Sequence, residues 1–223
     1  MTKIIINADD YGFCDEVDAG ARMAAEQGLI NSIATFVNGP DWENRLAVIK
    51  AVQSNYNCND SKVEGIDIGC HLSITSGKPV SRAAKRSDFL TKKGTFRKYT
   101  QLKRPKTVES KKALKAIVKG EIMAQLDRMD KAQINIAHLS SHHDTLTFFE
   151  DYFEAVLEVG QQNKIPVRSP VMLPKSKEII YYNQVGLRLK NNLSRENELE
   201  YKEFRKGRHS WFDNNFGNYT EIP

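Results

Sequence analysis

The chain has 223 residues, 40% of them hydrophobic and 27% charged, with mean hydropathy −0.53 and formal net charge +5. These are values of a soluble globular chain long enough to bury a core as one domain. No apolar run approaches the ~20 residues that cross a bilayer. The charge is uneven: 14 of the 33 Lys/Arg, but only two of the 28 acids (Asp88 and Glu109), fall between Arg82 and Lys119. Cys14, Cys58 and Cys70 lack metal-finger spacing and fit reduced thiols. The amino terminus shows no basic segment followed by a long apolar one, so no signal peptide and a cytoplasmic location are expected.

Taken in order, Ile4 to Ile6 is a short β-branched run that reads as an interior strand, ending in Asp9 and Asp10 with Gly12 as a turn residue. Asp15 to Gln27 is alanine-rich, with Asp15 a candidate N-cap and Gly28 a stop signal, and reads as a helix. Leu29 to Val37 reads as a second strand. Asp41 to Val52 places Trp42, Leu46, Ile49 and Val52 on one helical face. After a polar loop, Glu64 to Leu72 is a third strand carrying His71. An irregular basic excursion follows at about 76–106.

Thr107 to Asp130 returns to helical spacing through Leu114, Ile117, Val118, Ile122, Leu126 and Met129. Ile134 to Ser141 is a fourth strand, ending in His142, His143 and Asp144. Phe149 to Asn163 is an amphipathic helix, and Pro166 to Arg168 a short strand. Ile179 to Arg205 reads as helix in pieces. This alternation predicts an α/β fold with a parallel sheet in one domain, 1–223. It does not by itself separate an open sheet from a barrel, although polar groups at four strand ends would gather around one barrel mouth.

Asp9 or Asp10 with His71 and His142 makes a carboxylate and two imidazoles, a set that suits a divalent metal and leaves positions for water and substrate. Two adjacent acids allow one to hold the metal while the other takes a proton from water. Neighbouring strand residues face opposite ways, so the chain must turn by Asp10. Arg168 could orient an acid or bind a substrate oxygen. His138 reads as a packed histidine, His143 and Asp144 as solvent-facing, and His209, near Trp211, has no assigned role. The basic run carries Phe89, Phe96 and Tyr99, as base stacking would want. Its lysines 111, 112, 115 and 119 fit the solvated face of a helix, however, and nucleic acid is not the expected partner.

The stretches Ile5–Gly12, Gly69–Pro79, His138–His143 and Ile165–Arg168 resemble, in order, the signature blocks of the YdjC-like carbohydrate deacetylases. That resemblance implies a distorted TIM-like (β/α) barrel, a magnesium or zinc ion, and hydrolysis of an N-acetyl group from an amino sugar or oligosaccharide. It makes Asp10, His71 and His142 the metal ligands, Asp9 the general base, Arg168 its partner, and Asn38 and Thr75 substrate contacts. It leaves room for a homodimer. Ser140 stands where the family has an aspartate and Leu146 where it has a histidine. The family's late His-Pro-Gly segment is not reached before Pro223, so the barrel is expected to be incomplete within this sequence. These departures motivate an alternative: a catalytically impaired barrel that binds or senses carbohydrate.

Overall fold

The computed structural model describes residues 5–55, 65–102, 107–148 and 150–168. Four strands, β1 (Asn7–Tyr11), β2 (Ser32–Thr35), β3 (Asp67–Leu72) and β4 (Leu139–Ser141), pair in parallel in the order β1-β2-β3-β4. Helices α1 (Asp15–Glu26), α2 (Trp42–Asn55) and α3 (Val108–Lys131) form the crossovers, and the short α4 (Thr145–Phe148) leads into α5 (Glu150–Asn163). Val167 then bridges in parallel to Leu139, giving a fifth position beside β4. Strand order follows chain order, without the reversal of a doubly wound sheet.

The expected α/β alternation is present, with shorter strands. β1 begins at Asn7 rather than in the isoleucine run; Ile5 and Ile6 are exposed and precede the ladder. Cys14, not Asp15, occupies the N-cap of α1, while Asp15, Glu16 and Asp18 sit in its first turn, where the helix dipole favours acids. Gly28, at φ +69°, closes α1 as expected: its N–H bonds Ala25 O, and that of Leu29 bonds Ala24 O, the paired bonds of a Schellman end. Thr107 and Ser110 cap α3 reciprocally.

The core lies between sheet and helices. Ile33, Ile68, Leu72 and Leu139 from the strands pack with Ala25 of α1, Ile49 of α2, Ile122 and Met129 of α3 and Val159 of α5. The expected apolar face of α3 is buried at Val118, Ile122, Leu126 and Met129. Lys115 and Lys119 are not merely solvated. Lys115 bonds Glu154 of α5 at 2.7 Å and Lys119 bonds Glu158 at 2.9 Å, which ties the two helices together. Phe89 and Phe96 of the basic excursion are buried, Phe89 beside Tyr152 of α5. They are therefore not free to stack on bases.

The expected barrel is not closed: among the described residues β1 pairs only with β2 and the sheet is open. It is nonetheless curled. Arg168 beside β4 reaches Asp9 in β1 at 2.8 Å. Across a flat sheet those two positions would lie four strand spacings apart, roughly 19 Å, beyond the reach of one side chain. The segments after Arg168, including the helical pieces read at 179–205 and His209, lie outside the described residues.

Polar residues of α3 hold the loop that follows β3. The buried Glu121 carboxylate accepts the N–H groups of Val80 and Ser81 at 3.0 and 2.8 Å. Gln125, also buried, exchanges bonds with the Ser73 backbone: it accepts from Ser73 N at 3.2 Å and donates to Ser73 O at 2.7 Å. Glu121→Leu would strand two backbone donors, each costing roughly 1–3 kcal/mol. A fall of that order in urea unfolding free energy, at unchanged slope, is the expected result.

Candidate active site

β1 solves the facing problem with a bulge. Ala8 pairs with Ile33 and Tyr11 with Thr35, so three steps along β1 match two along β2. The extra residue is accommodated at Asp10, whose φ is +65°. A left-handed conformation at a residue other than glycine is held at a cost of order 1–3 kcal/mol and clusters at functional sites. Here it turns the Asp9 and Asp10 carboxylates toward the same imidazole, that of His71.

The bulge is pinned on its far side. Phe13 N donates to Asp10 O at 3.0 Å and Phe36 N to Tyr11 O at 2.7 Å. Gly12, at φ +93°, donates to the Asp18 carboxylate at 2.6 Å. Asp18 is in turn paired with Arg45 of α2. Any side chain at Gly39 would meet Gly12 O at 2.6 Å, so the Asn38-Gly39-Pro40 turn can lie against this corner only without one.

Asp10 is the centre of the cluster. Its Oδ1 lies 2.9 Å from His71 Nε2 and 2.8 Å from His142 Nδ1. Burial pushes the Asp10 carboxyl up, but the hydrogen bonds from His142 and His71 outweigh it and hold it well below the usual carboxylate range. Asp10, His71 and His142 offer ligand atoms that all lie within 4.8 Å of one another. Both imidazoles are buried, and Phe36 meets each of them edge-on, with ring centroids 5.3 Å from His71 and 4.5 Å from His142.

The other ring nitrogens are also held. His71 Nδ1 lies 2.7 Å from Ser140 Oγ and His142 Nε2 lies 3.1 Å from Ser76 Oγ. A metal-ligating imidazole is oriented by the partner of its second nitrogen. A hydroxyl can accept an N–H as well as donate. Ser140 thus supplies the orienting partner for which the sequence comparison expected a carboxylate, and Ser76 does the same for His142.

Asp9 forms a second unit. Arg168 donates Nη1 to both Asp9 oxygens, at 3.1 and 2.8 Å, and Nη2 makes a further short contact with Oδ2. Asn7 Nδ2 donates to Asp9 Oδ1 at 2.8 Å. Asp9 Oδ1 is 3.6 Å from His71 Nδ1, too far for a hydrogen bond but adjacent to the ligand set. The five residues expected to carry chemistry, Asp9, Asp10, His71, His142 and Arg168, are therefore brought together.

Asn38 and Thr75 stand apart from this set. Both are buried; Asn38 Nδ2 donates to Ser76 O at 2.9 Å, and Thr75 Oγ1 is 3.5 Å from Thr145 Oγ1. Leu146 is fully buried in the core. His138 packs over Gly69, where a Cβ would fall 2.2 Å from its ring.

His143 is exposed, as expected, but not loose. Its φ is +55° and that of Asp144 is +52°; its ring lies 3.6 Å, centroid to centroid, from that of His142. Partial burial and the neighbouring His142 lower its pKa to about 4, so it is neutral at neutral pH. Sequence reasoning missed Ser76, Phe36 and the orienting role of Ser140. A large aromatic at the carboxyl end of β2 was the available signal for Phe36; a serine in a serine-rich turn gives none.

A parallel α/β sheet thus carries at its carboxyl edge one carboxylate between two imidazoles, a donor set that suits a divalent ion, with a second carboxylate alongside. A YdjC-like protein family model matches residues 3–221, and the chain belongs to that family. It is 26% identical over 168 residues to a carbohydrate deacetylase of Brevibacillus brevis, covering 75% of this chain and 59% of that protein. It is 25% identical over 206 residues to a carbohydrate deacetylase of Oceanobacillus iheyensis, covering 92% and 81%. A crystal structure from Enterococcus faecalis V583, described as that of a cellobiose-phosphate cleavage protein, superposes with TM-score 0.60 at 20% identity over 81% of this chain and 64% of that one. That likeness shows the fold. The chain spans about three fifths of the length of the Brevibacillus brevis relative and of one from Clostridium beijerinckii. Among the described residues no helix is long and apolar enough to cross a membrane.

Ser140→Ala removes the partner of His71 Nδ1. Affinity for an added divalent ion should fall about 10- to 100-fold, measured by calorimetric titration against wild type.

Proposed function

We propose that this chain is a metal-dependent hydrolase that removes N-acetyl groups from amino sugars or their oligosaccharides. The observation that carries it is the convergence of Asp10, His71 and His142 within 4.8 Å, with Asp9 beside them. The deacetylase names of its relatives support the substrate class. One carboxylate and two imidazoles fit a divalent ion of the magnesium or zinc kind, and the three atoms that now meet one another would hold it. Once bound, such an ion would polarise the acetamide carbonyl and acidify water.

The rest falls to the chain's own groups. Asp9 would accept the proton of the attacking water. Arg168, with Asn7, fixes the Asp9 carboxylate in place. Ser140 and Ser76 fix the two imidazoles. Asn38 would act on substrate through the Ser73–Ser76 turn it holds, and Thr75 from behind that turn.

The sheet curl and the unreversed strand order support a distorted TIM-like (β/α) barrel as the architecture to which the described strands belong. The excursion at 76–106 would cover the mouth. A cytoplasmic place fits the free thiols of Cys14 and Cys70.

Two expected outcomes follow from this assignment. Stripping divalent metal should abolish acetate release from N-acetylated chitooligosaccharides, and adding it back should restore release; release that persists without metal contradicts the mechanism. Asp9→Asn should lower turnover by at least 100-fold while the ion stays bound. Sugar and metal binding with no turnover in wild type would instead select the carbohydrate-binding alternative.

A further inference from the structure

Three aromatic side chains at the site are used by nothing described so far. Phe13 follows the Gly12 turn and is 48% exposed. Its backbone N–H holds Asp10 O, so the bend that aims the Asp10 carboxylate also fixes this ring. The ring centroid lies 6.1 Å from His142 and 5.9 Å from Phe36. His143, whose ring lies tilted against that of His142, is the second ring. Tyr99, from the basic excursion, is the third, with its ring centroid 5.2 Å from His143.

A single exposed phenylalanine needs no explanation on most surfaces. This one adjoins a candidate metal ligand and is tethered to another. Consecutive left-handed residues, His143 and Asp144, hold the second ring in place, and such strain is found where a side chain must be presented. Tyr99 is brought to that ring by a loop whose other aromatics, Phe89 and Phe96, are buried as anchors. Binding sites combine apolar, aromatic walls with a few placed polar groups, and here the polar groups are the carboxylates and imidazoles.

We propose that Phe13 and the His143–Tyr99 pair are the walls of a sugar-ring subsite over the Asp10–His71–His142 cluster. The subsite takes a pyranose by its C–H face and leaves its hydroxyls to water. It rests on the carbohydrate reading above and adds which residues select a ring rather than any N-acetyl amide. Stacking of this kind is tolerant of ring substituents, so the walls recognise the sugar while the cluster recognises the acetamide.

The test is calorimetric titration of the full chain, loaded with divalent metal, with a β-1,4-linked N-acetylglucosamine disaccharide. Acetate is titrated in parallel, and metal content is measured on the same samples. Phe13→Ala and Tyr99→Ala should each raise the disaccharide Kd about tenfold or more with metal content and acetate affinity as in wild type; Phe13→Trp should keep disaccharide affinity. An unchanged disaccharide Kd in either alanine variant overturns the subsite, as does a wild type that binds no disaccharide. Metal content separates the two failures. Wild type that takes up no ion defeats the hydrolase reading, whereas wild type that binds ion and sugar, with Kd indifferent to Phe13 and Tyr99, defeats only the aromatic walls.

Discussion

The shared hydrogen bonds from His71 and His142 to one oxygen of Asp10 are the interaction on which the site depends. They require a carboxylate at the top of β1 aimed across β2 at imidazoles from β3 and from the turn after β4. A regular strand would send Asp9 and Asp10 to opposite faces. The one-residue bulge, with Asp10 at φ +65°, removes that alternation and puts both acids on one side. Gly12, Asp18, Arg45 and the Phe36 backbone hold the bulge from behind. The strain at Asp10 is thus offset by contacts from α1, α2 and the end of β2.

The second constraint is curvature. Asp10 reaching His142, and Asp9 reaching Arg168, join the first strand to the fourth and fifth positions of a sheet whose neighbours are about 4.8 Å apart. Twist and curl of the parallel sheet bring these ends together, and the ion pair and hydrogen bonds keep them there. Packing of α3 against β3 and of α3 against α5 supports the same curl from outside. The loop after β3, tied to α3 by Glu121 and Gln125, then delivers Ser76 to His142. Fold and site are coupled through a few buried polar groups, not through the apolar core alone.

Much of this was legible in the sequence, and the reasons differ by element. The helices announced themselves through long apolar periodicity and stop signals: Gly28 ended α1 where expected, and α3 spans Val108–Lys131 against the expected Thr107 to Asp130. The pairing of acids with histidines at strand ends was legible because parallel sheets place chemistry at that edge. The bulge was not, since it is set by the match of β1 to β2 and not by residue type. Nor was the true start of β1: Ile5 and Ile6 look like a buried strand, yet the ladder begins at Asn7. Ser140 reads as the loss of a carboxylate in the sequence and as a 2.7 Å partner of His71 in space. Phe89 and Phe96 looked like stacking aromatics because burial in an irregular excursion has no periodic signature.

The most direct measurement is the stoichiometry of divalent metal on purified protein, wild type beside His142→Ala, with folding of both checked by circular dichroism. About one ion per chain in wild type, lost in the folded variant, is the expected result, because Asp10, His71 and His142 would then surround a single ion. No stoichiometric ion in wild type after magnesium, zinc or manganese is supplied, or an ion retained in full without His142, would contradict the assignment of this cluster as the centre of the chemistry.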